Sequence, residues 1–221
     1  MSSHMSKPQR TRVVPSTADA TGDDMVKNVP GNFYDKHGSR NPLVRFIMKR
    51  FHRAVLDALL ELPHSMLLDV GCGEGRTTAV FVDALESQVV GVELELEVIN
   101  EARVHAPGAA LAAASVYQLP FGDSVFDVVT GTEVLEHLDS PGSALEELRR
   151  VARHAVVITV PHEPWFRIAN MARGKYLGDL GNTPGHVQNW TKHGLTRFLS
   201  SVGATADVRT TGLWCLAIVK P

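Results

Sequence analysis

The chain has 221 residues, a hydrophobic content of 44% and a net charge of −2, so it is long and apolar enough to form one globular domain with a substantial core. No apolar run is long enough to span a bilayer, and no segment near the start has the layout of a secretory signal, so we expect a protein without stable membrane insertion. The mild acidity gives no general attraction for nucleic acid, and the only two cysteines, Cys72 and Cys215, predict reduced thiols and a cytoplasmic location.

The first part of the chain lacks the periodicity of a folded element. Residues 1–30 mix Ser, Thr, Asp, Lys and Pro without an apolar pattern, which indicates a disordered tail, and residues 1–5 are typical of a cloning scar. We therefore expect residues 31–221 to form a single domain. A helical pattern follows, because the apolar residues between positions 43 and 60 fall near one stripe. Basic side chains on the rest of this helix, such as Arg45, are either solvated or hold a carboxylate of a ligand.

The next segment joins a strand pattern to a glycine-rich turn. The apolar run Met66–Val70 contains Asp69 and leads into three alternate glycines, Gly71, Gly73 and Gly75. Apolar residues suit a central parallel strand, while glycines let the backbone turn sharply and approach a ligand closely. The stretch predicts a strand, a tight turn and the start of a helix. Such a turn is found in ordinary βα loops and also in loops that cradle a nucleoside-type cofactor.

Two further segments separate these interpretations. Residues 89–93 form a second apolar run that ends on an acid, which suits hydrogen bonds to a ribose diol. A dinucleotide enzyme would share that acid, but here the turn reads Gly-x-Gly-x-Gly rather than Gly-x-Gly-x-x-Gly. A third segment, Leu119, Pro120 and Phe121 followed by residues 126–129, is not part of the dinucleotide fingerprint. Together the three segments resemble the class I S-adenosylmethionine-dependent methyltransferases.

The resemblance implies S-adenosylmethionine as cofactor and a set of residues that bind it. Relatives commonly carry an Asp that accepts a hydrogen bond from the adenine amino group where this chain has Ser115. A hydroxyl also accepts that bond, but it is neutral, so the bond is weaker than a charge-assisted one. The cofactor-binding residues implied are Asp69, Gly71, Gly73, Gly75, Glu93, Ser115, Val116 and Thr132.

The remaining elements alternate in type along the chain. Alternating βα units followed by a hairpin predict an α/β fold with a doubly wound, mostly parallel sheet. The resemblance supplies seven strands in a Rossmann-like order, with the last strand antiparallel. The patterns predict helices at 77–85, 96–105, from 140–141 through 151, and at 191–202, and strands at 89–92, 109–114, 126–130, 155–160, around 208 and at 213–219.

A cluster of polar side chains follows the fourth predicted strand. On a helical turn, positions i, i+3 and i+4 share a face, so Glu133, Glu136 and His137 are expected to converge. Two carboxylates and an imidazole at the carboxyl end of a strand suit a divalent ion with open positions for substrate oxygens. In the alternative interpretation, Glu136 and His137 only cap or brace the cofactor loop and no metal binds.

His186 lies shortly before an aromatic residue and a helix cap, Trp190 and Thr191. Glu-x-x-Glu-His followed by such a histidine resembles the metal-dependent O-methyltransferases that modify the terminal ribose of small RNAs, and the triplet alone resembles the ubiquinone-pathway O-methyltransferases. The resemblance implies His186 as a fourth metal ligand, beside Glu133, Glu136 and His137. The alternative is an ordinary loop histidine. Carboxylates favour Mg²⁺ or Mn²⁺, and two imidazoles also suit Zn²⁺, Fe²⁺ or Co²⁺.

Residues 161–190 form a long connection, which we expect to be a lid over the substrate. Its apolar residues line a pocket, pack on the core, or face a dimer partner or membrane surface; they are Trp165, Phe166, Ile168 and Met171. Arg173 and Lys175 hold an anionic group or are solvated. His162 stands where relatives often have Asn, and is either a catalytic base or another metal ligand.

These expectations lead to a metal-assisted O-methyltransferase of a small molecule. A neutral alcohol is a poor nucleophile, and a divalent ion lowers the pKa of a bound hydroxyl and fixes its direction. The acceptors favoured are a vicinal diol, a sugar or a catechol. Glu136, His137 and His162 are then catalytic, with His162, or less favourably His193, taking the proton.

Three alternatives remain at this stage. A metal-free methyltransferase acting on nitrogen or carbon would use Glu133 and Glu136 as acid-base or positioning groups. A ribose 2′-O-methyltransferase acting on RNA would share the chemistry, but the chain has no appended nucleic-acid module and no long basic block. A cofactor-binding scaffold without catalysis would leave the ligand set without a purpose.

Overall fold

The computed structural model describes residues 41–172, 178, 180, 182, 183 and 185–221. The predicted tail at residues 1–30, as well as Arg173 and Lys175 of the predicted lid, lie outside the described residues. The helices are α1 (Pro42–Leu60), α2 (Arg76–Ala84), α3 (Leu96–His105), α4 (Pro141–Val151), α5 (Trp165–Ala172) and α6 (Lys192–Ser201), with a 3₁₀ turn at Leu135–His137. The strands are β1 (Met66–Val70), β2 (Gln88–Glu93), β3 (Ala110–Ala113), β4 (Phe126–Thr132), β5 (Ala152–Pro161), β6 (Ala206–Thr211) and β7 (Trp214–Val219).

The seven strands form one sheet in the order β3-β2-β1-β4-β5-β7-β6. The pairs β1 with β2, β1 with β4, β2 with β3 and β4 with β5 are parallel, whereas β7 pairs antiparallel with both β5 and β6. Only β7 therefore opposes the other strands of this sheet. The predicted fold, a doubly wound and mostly parallel sheet whose last strand is antiparallel, is confirmed.

Helices cover both faces of the sheet, as the apolar central strands require. On one face, Leu145 and Leu148 of α4 and Leu195 of α6 are fully buried against the sheet. On the other face, Val55 of α1 and Phe81 of α2 belong to a second apolar cluster. This arrangement leaves the carboxyl ends of β1, β2 and β4 as the edge at which the polar side chains gather.

The start of α1 follows local chemistry. Asn41 is its N-cap, since the Asn41 side chain accepts a hydrogen bond from the backbone N–H of Leu43 at 2.9 Å, and Pro42 occupies the first turn. Among the described residues, no helix is long and apolar enough to cross a membrane. Cys72 and Cys215 are both buried and are not bonded to each other in this structure, and their reduced state stays a prediction.

Candidate functional site

The glycine turn after β1 forms the floor of the candidate site. The N–H groups of Gly71 and Cys72 both donate to the carbonyl oxygen of Val92 in β2, at 2.8 and 3.0 Å, which ties the turn to the neighbouring strand. Gly71, Gly73 and Gly75 all have positive φ, at 67°, 53° and 78°. This left-handed backbone favours glycine, so the sequence prediction of a sharp turn holds at all three positions.

The three glycines differ in what surrounds them. A β-carbon added at Gly75 would lie 2.9 Å from Cα and Cβ of Ala102 in α3, and one added at Gly71 would lie 2.6 Å from Cγ2 of Val134. A β-carbon added at Gly73 would meet no atom of the described residues within 4 Å. Gly71 and Gly75 therefore allow close packing within the fold, whereas Gly73 borders open space in which a ligand can approach the backbone.

Glu93 ends β2 and points back to this turn. Its Oε2 accepts a hydrogen bond from the N–H of Gly73 at 3.1 Å, and its Oε1 accepts one from the N–H of Leu94 at 2.6 Å. The carboxylate thus stands beside the open space at Gly73. An acid in this position can accept hydrogen bonds from the hydroxyl groups of a ribose, as the sequence predicts.

Asp69, in β1, lies in the interior beneath the glycine turn. The carboxyl is fully buried and accepts hydrogen bonds from the hydroxyls of Thr78 at 2.7 Å and Thr130 at 2.8 Å. Burial raises the pKa of Asp69 to about 6 and the charge on Glu93 adds to this, while the two hydroxyl bonds oppose it. Asp69 has no accessible surface, so its predicted part in cofactor binding stays a prediction.

The other expected cofactor residues lie after neighbouring strands. Ser115 and Val116 follow β3 and are half-buried; the Ser115 hydroxyl oxygen accepts a hydrogen bond from the N–H of Tyr117 at 3.3 Å. Val116 packs against the main apolar core. Thr132 is the last residue of β4 and is half-buried. All three lie at the same end of the sheet as Glu93, because β2, β3 and β4 run in the same direction.

A second group of polar side chains lies next to the turn. Glu136, His137 and His186 each offer one ligand atom, and these atoms all lie within 4.8 Å of one another. Glu136 is fully buried and His186 is 9% exposed. Because Val134 packs on Gly71, this group is adjacent to the floor of the candidate cofactor site. The structure thus brings together three of the four predicted metal ligands, although His186 lies 49 positions after His137 in the sequence.

Backbone bonds hold His186 against the other two residues. The carbonyl oxygen of Glu136 accepts hydrogen bonds from the N–H groups of Val187 at 2.9 Å and Gln188 at 3.0 Å. The ring centroids of His137 and His186 are 4.9 Å apart and nearly perpendicular. His186 is therefore fixed by the chain on its C-terminal side and is not an isolated loop histidine.

The ring of His137 has a defined tautomer if it is neutral. Its Nδ1 lies 3.0 Å from the carbonyl oxygen of Gly185, and a carbonyl oxygen only accepts, so Nδ1 carries the hydrogen. In the neutral ring, Nε2 then keeps its lone pair. A histidine that donates one ring N–H to a backbone carbonyl is the usual arrangement for a metal ligand, because this bond orients the ring.

Glu133 does not lie in this group. Its φ is +55°, and the 3₁₀ turn begins only at Leu135, so the helical spacing assumed from the sequence does not apply to it. Its Oε1 accepts a hydrogen bond from the indole N–H of Trp214 at 3.1 Å. The expectation that Glu133 converges with Glu136 and His137 on one helical turn is thus wrong in its geometry.

The two histidines considered as bases have different surroundings. His162 is half-buried just beyond the carboxyl end of β5, and its backbone pairs with Trp190 and donates to the carbonyl of Leu213 at 2.8 Å. His193 is exposed on α6, and its Nε2 accepts from Arg197 at 2.9 Å. Of the two, His162 is the one at the carboxyl end of a strand.

Residues of the predicted lid divide between core and surface. Phe166 is buried and packs between Trp214 and His186, with ring centroids 5.9 and 6.1 Å away. Trp165 and Ile168 are exposed, and Met171 is half-buried. On α1, Arg45 lines a groove that faces Val80 of α2, together with Lys49, His52 and Arg53.

Two features of the site region were not predicted from the sequence. Glu163 is 7% exposed, its Oε2 accepts from the N–H of Arg167 at 3.4 Å, and burial raises the pKa of its carboxyl. Glu147 and Arg150 of α4 bind the loop after Ser115 through several backbone groups. The spacing Glu-x-x-Arg on a helix was the available signal for this pair, since residues at i and i+3 are neighbours.

Comparisons with known proteins find similarity to methyltransferases. Residues 68–159 match a family described as methyltransferase domain. An uncharacterized methyltransferase, C1B3.06c, of Schizosaccharomyces pombe is 36% identical over 99 residues, which are 39% of this chain and 36% of that protein. The O-methyltransferase cnsE of Penicillium expansum is 28% identical over 145 residues, which are 61% of this chain and 52% of that protein. The matched parts thus span about half or less of these relatives.

Among solved structures, the magnesium protoporphyrin IX methyltransferase of Synechocystis PCC 6803, with bound SAH, has a TM-score of 0.59 and 18% sequence identity. The likeness covers 83% of this chain and 90% of that chain. At this identity the likeness concerns the fold, which is a Rossmann-like methyltransferase fold in both chains.

Proposed function

We propose that the chain is a class I, S-adenosylmethionine-dependent methyltransferase that transfers a methyl group to a hydroxyl of a small molecule with the help of a divalent ion. The match of residues 68–159 to a methyltransferase domain supports the methyl transfer. The observation that carries the metal-assisted part is the group of Glu136, His137 and His186 beside the glycine turn. The O-methyltransferase of Penicillium expansum, 28% identical over the matched part, supports oxygen as the methyl acceptor.

In this proposal the cofactor lies across the carboxyl ends of β1, β2 and β3. Glu93 accepts from the ribose hydroxyls, and the open space at Gly73 receives the part of the cofactor that approaches the backbone. Ser115 accepts from the adenine amino group and Val116 packs against the base, while Thr132 lies near the transferred methyl group. Asp69 acts indirectly, by holding the turn through Thr78.

The donor set suits a transition-series cation. One carboxylate and two imidazoles favour Mn²⁺, Fe²⁺, Co²⁺ or Zn²⁺, and leave coordination positions for two neighbouring substrate oxygens. Mg²⁺ is less well matched, since it prefers oxygen ligands. When bound, such an ion lowers the pKa of a substrate hydroxyl, as it does for water. A vicinal diol, a sugar or a catechol offers the paired oxygens that this site would orient.

The roles of the other predicted residues follow from their positions. Glu133 is proposed as a fourth ligand, which requires its carboxylate, now bonded through Oε1 to the indole N–H of Trp214, to turn toward the other three residues. His162 is proposed as the group that takes the hydroxyl proton, because it lies at the carboxyl end of β5. Two further expectations, a cytoplasmic location and a homodimer, stay predictions.

The test is production of S-adenosylhomocysteine with a panel of acceptors that includes catechol, a sugar and an amine, with and without a chelator. We expect turnover with a paired-oxygen acceptor, its loss on chelation and its return with Mn²⁺. Glu136→Gln and His186→Ala should remove turnover, whereas the control variant His154→Ala, near the start of β5, should retain it. Full activity after chelation would overturn the metal-assisted reaction, and methylation of the amine alone would favour a metal-free N-methyltransferase.

A further inference from the structure

The guanidinium group of Arg150 is bound on every side. Its Nε donates a hydrogen bond to Oε2 of Glu147 at 2.8 Å, and its Nη2 donates one to Oε1 of the same carboxylate, also at 2.8 Å. The other bonds go to the loop that follows β3. Nη2 donates to the carbonyl of Leu119 at 3.2 Å, and Nη1 donates to the carbonyl of Phe121 at 2.9 Å and to Oδ1 of Asp123 at 2.7 Å. An arginine has five N–H donors, and each is used here.

Glu147 completes the connection to the same loop. Its Oε1 also accepts a hydrogen bond from the N–H of Leu119 at 2.7 Å, so both backbone groups of Leu119 are bonded to side chains of α4. The hydrogen bond from Arg150 lowers the pKa of the Glu147 carboxyl, which keeps the pair ionised. Charge-assisted bonds are stronger than neutral ones, and the planar fork of an arginine fixes their direction.

The loop that this pair holds is residues 115–121, here called the base-side loop. It begins with Ser115 and Val116, which are proposed to contact the adenine. Within it, the carbonyl of Ser115 accepts from the N–H of Gln118 at 3.0 Å, and Leu119 is 3% exposed. Phe121 packs edge-to-face on Phe126 at 4.8 Å. The loop is thus anchored at its far end, while Ser115 and Val116 at its near end are half-buried and keep accessible surface beside the end of β2.

We propose that Glu147 and Arg150 are positioning residues that hold the base-side loop in the conformation that recognises the 6-amino group of the cofactor. The inference rests on the proposed cofactor site. Ser115 offers only a neutral hydroxyl, so its contribution depends on being held in place before the cofactor binds. A contact that is already ordered contributes more to affinity, because less conformational entropy is lost on binding.

The experiment compares two ligands by calorimetry: S-adenosylhomocysteine and its analogue with a purine base, which lacks the 6-amino group. In the wild type we expect the adenine ligand to bind about tenfold more tightly, the value for one hydrogen bond of roughly 1.4 kcal/mol. In Arg150→Lys and in Glu147→Gln, the affinity for the adenine ligand should fall by about tenfold while that for the purine analogue changes by less than about twofold.

Arg209→Lys is the matched control. Arg209 makes a comparable bidentate contact with Glu61, at 3.2 and 3.3 Å, and a bond to Asp207, but it lies on β6 at the opposite edge of the sheet from β3. This variant should retain both affinities. The melting temperature is measured for each variant, and Arg150→Lys and Glu147→Gln are chosen over alanine because they preserve most of the packing.

Three results would overturn the inference. These are equal losses for the two ligands, no loss for either ligand, and a loss of the same size in Arg209→Lys. If the wild type binds neither ligand, the proposed cofactor site is wrong and the inference fails with it. If the wild type binds both with the expected preference and Arg150→Lys keeps that preference, the cofactor site stands and only the positioning role is refuted.

Discussion

Alanine substitutions at Gly73 and at Gly75 should separate an effect on ligand binding from an effect on the stability of the fold. Both have left-handed backbone, so alanine at either position costs about 1–2 kcal/mol of stability from the backbone alone. At Gly73 nothing among the described residues lies within 4 Å of the new β-carbon, so the cost should stop there. At Gly75 the β-carbon would lie 2.9 Å from Ala102, in the middle of α3.

The overlap at Gly75 adds an overpacking cost of about 1–3 kcal/mol, because the atoms it meets include backbone that cannot rotate away. Gly75→Ala should therefore lose about 2–5 kcal/mol of unfolding free energy in urea, and Gly73→Ala about 1–2 kcal/mol. For the affinity for S-adenosylmethionine, measured by calorimetry, we expect the reverse order, with Gly73→Ala affected more than Gly75→Ala. The folded Gly73→Ala protein should bind S-adenosylmethionine at least about tenfold more weakly, since its methyl group enters the space proposed for the cofactor.

The outcome that refutes this reasoning is specific. If Gly73→Ala is only mildly destabilised and binds S-adenosylmethionine with wild-type affinity, the open space at Gly73 is not the cofactor site. If Gly75→Ala is no less stable than Gly73→Ala, the close packing of the turn on α3 does not limit the side chain at that position.

Two further predictions concern the acids of the site. Glu93→Ala should weaken S-adenosylmethionine binding by about 1.5–3 kcal/mol, the range for a hydrogen bond to a charged group, and unchanged calorimetric affinity would count against the ribose contact. Asp69 has a pKa raised from 3.8 to about 6, so the folded state binds the extra proton and this group's contribution to stability is lost as pH rises from about 4 to about 6. The loss of unfolding free energy amounts to about 3 kcal/mol, since a tenfold change in proton affinity corresponds to about 1.4 kcal/mol. Denaturation of wild type and Asp69→Asn across that window should give a difference with this slope; parallel curves would show that Asp69 does not titrate as described.

The fold could be predicted from the sequence because its signals are local and mutually consistent. The apolar strands, the glycines of the turn and the alternation of elements all indicate the same parallel sheet. Boundaries differ modestly: β5 begins at Ala152, where 155 was predicted, because Ala152 pairs with Phe126 across an irregular register. Periodicity gives no signal for such a pairing.

The site could be predicted only in part, because side-chain direction depends on backbone that the sequence does not display. Glu133 was assigned to a helical turn, but its left-handed backbone directs the carboxylate to Trp214, a residue of the last strand. Asp69 was assigned to the ligand, although its carboxyl is buried against Thr78 and Thr130. In contrast, His186 does lie near His137, as predicted. That prediction came from the resemblance to a known family and did not depend on helical periodicity.

The central claim is that Glu136, His137 and His186 bind a divalent ion beside the cofactor turn. The most direct measurement is anomalous diffraction from crystals of the full chain soaked with Mn²⁺ and S-adenosylhomocysteine. The account predicts one strong anomalous peak about 2.2 Å from Nε2 of His137 and from the facing atoms of the other two residues. A map without a peak there at saturating Mn²⁺, or with the three side chains pointing apart, would contradict the claim and leave a metal-free methyltransferase in its place.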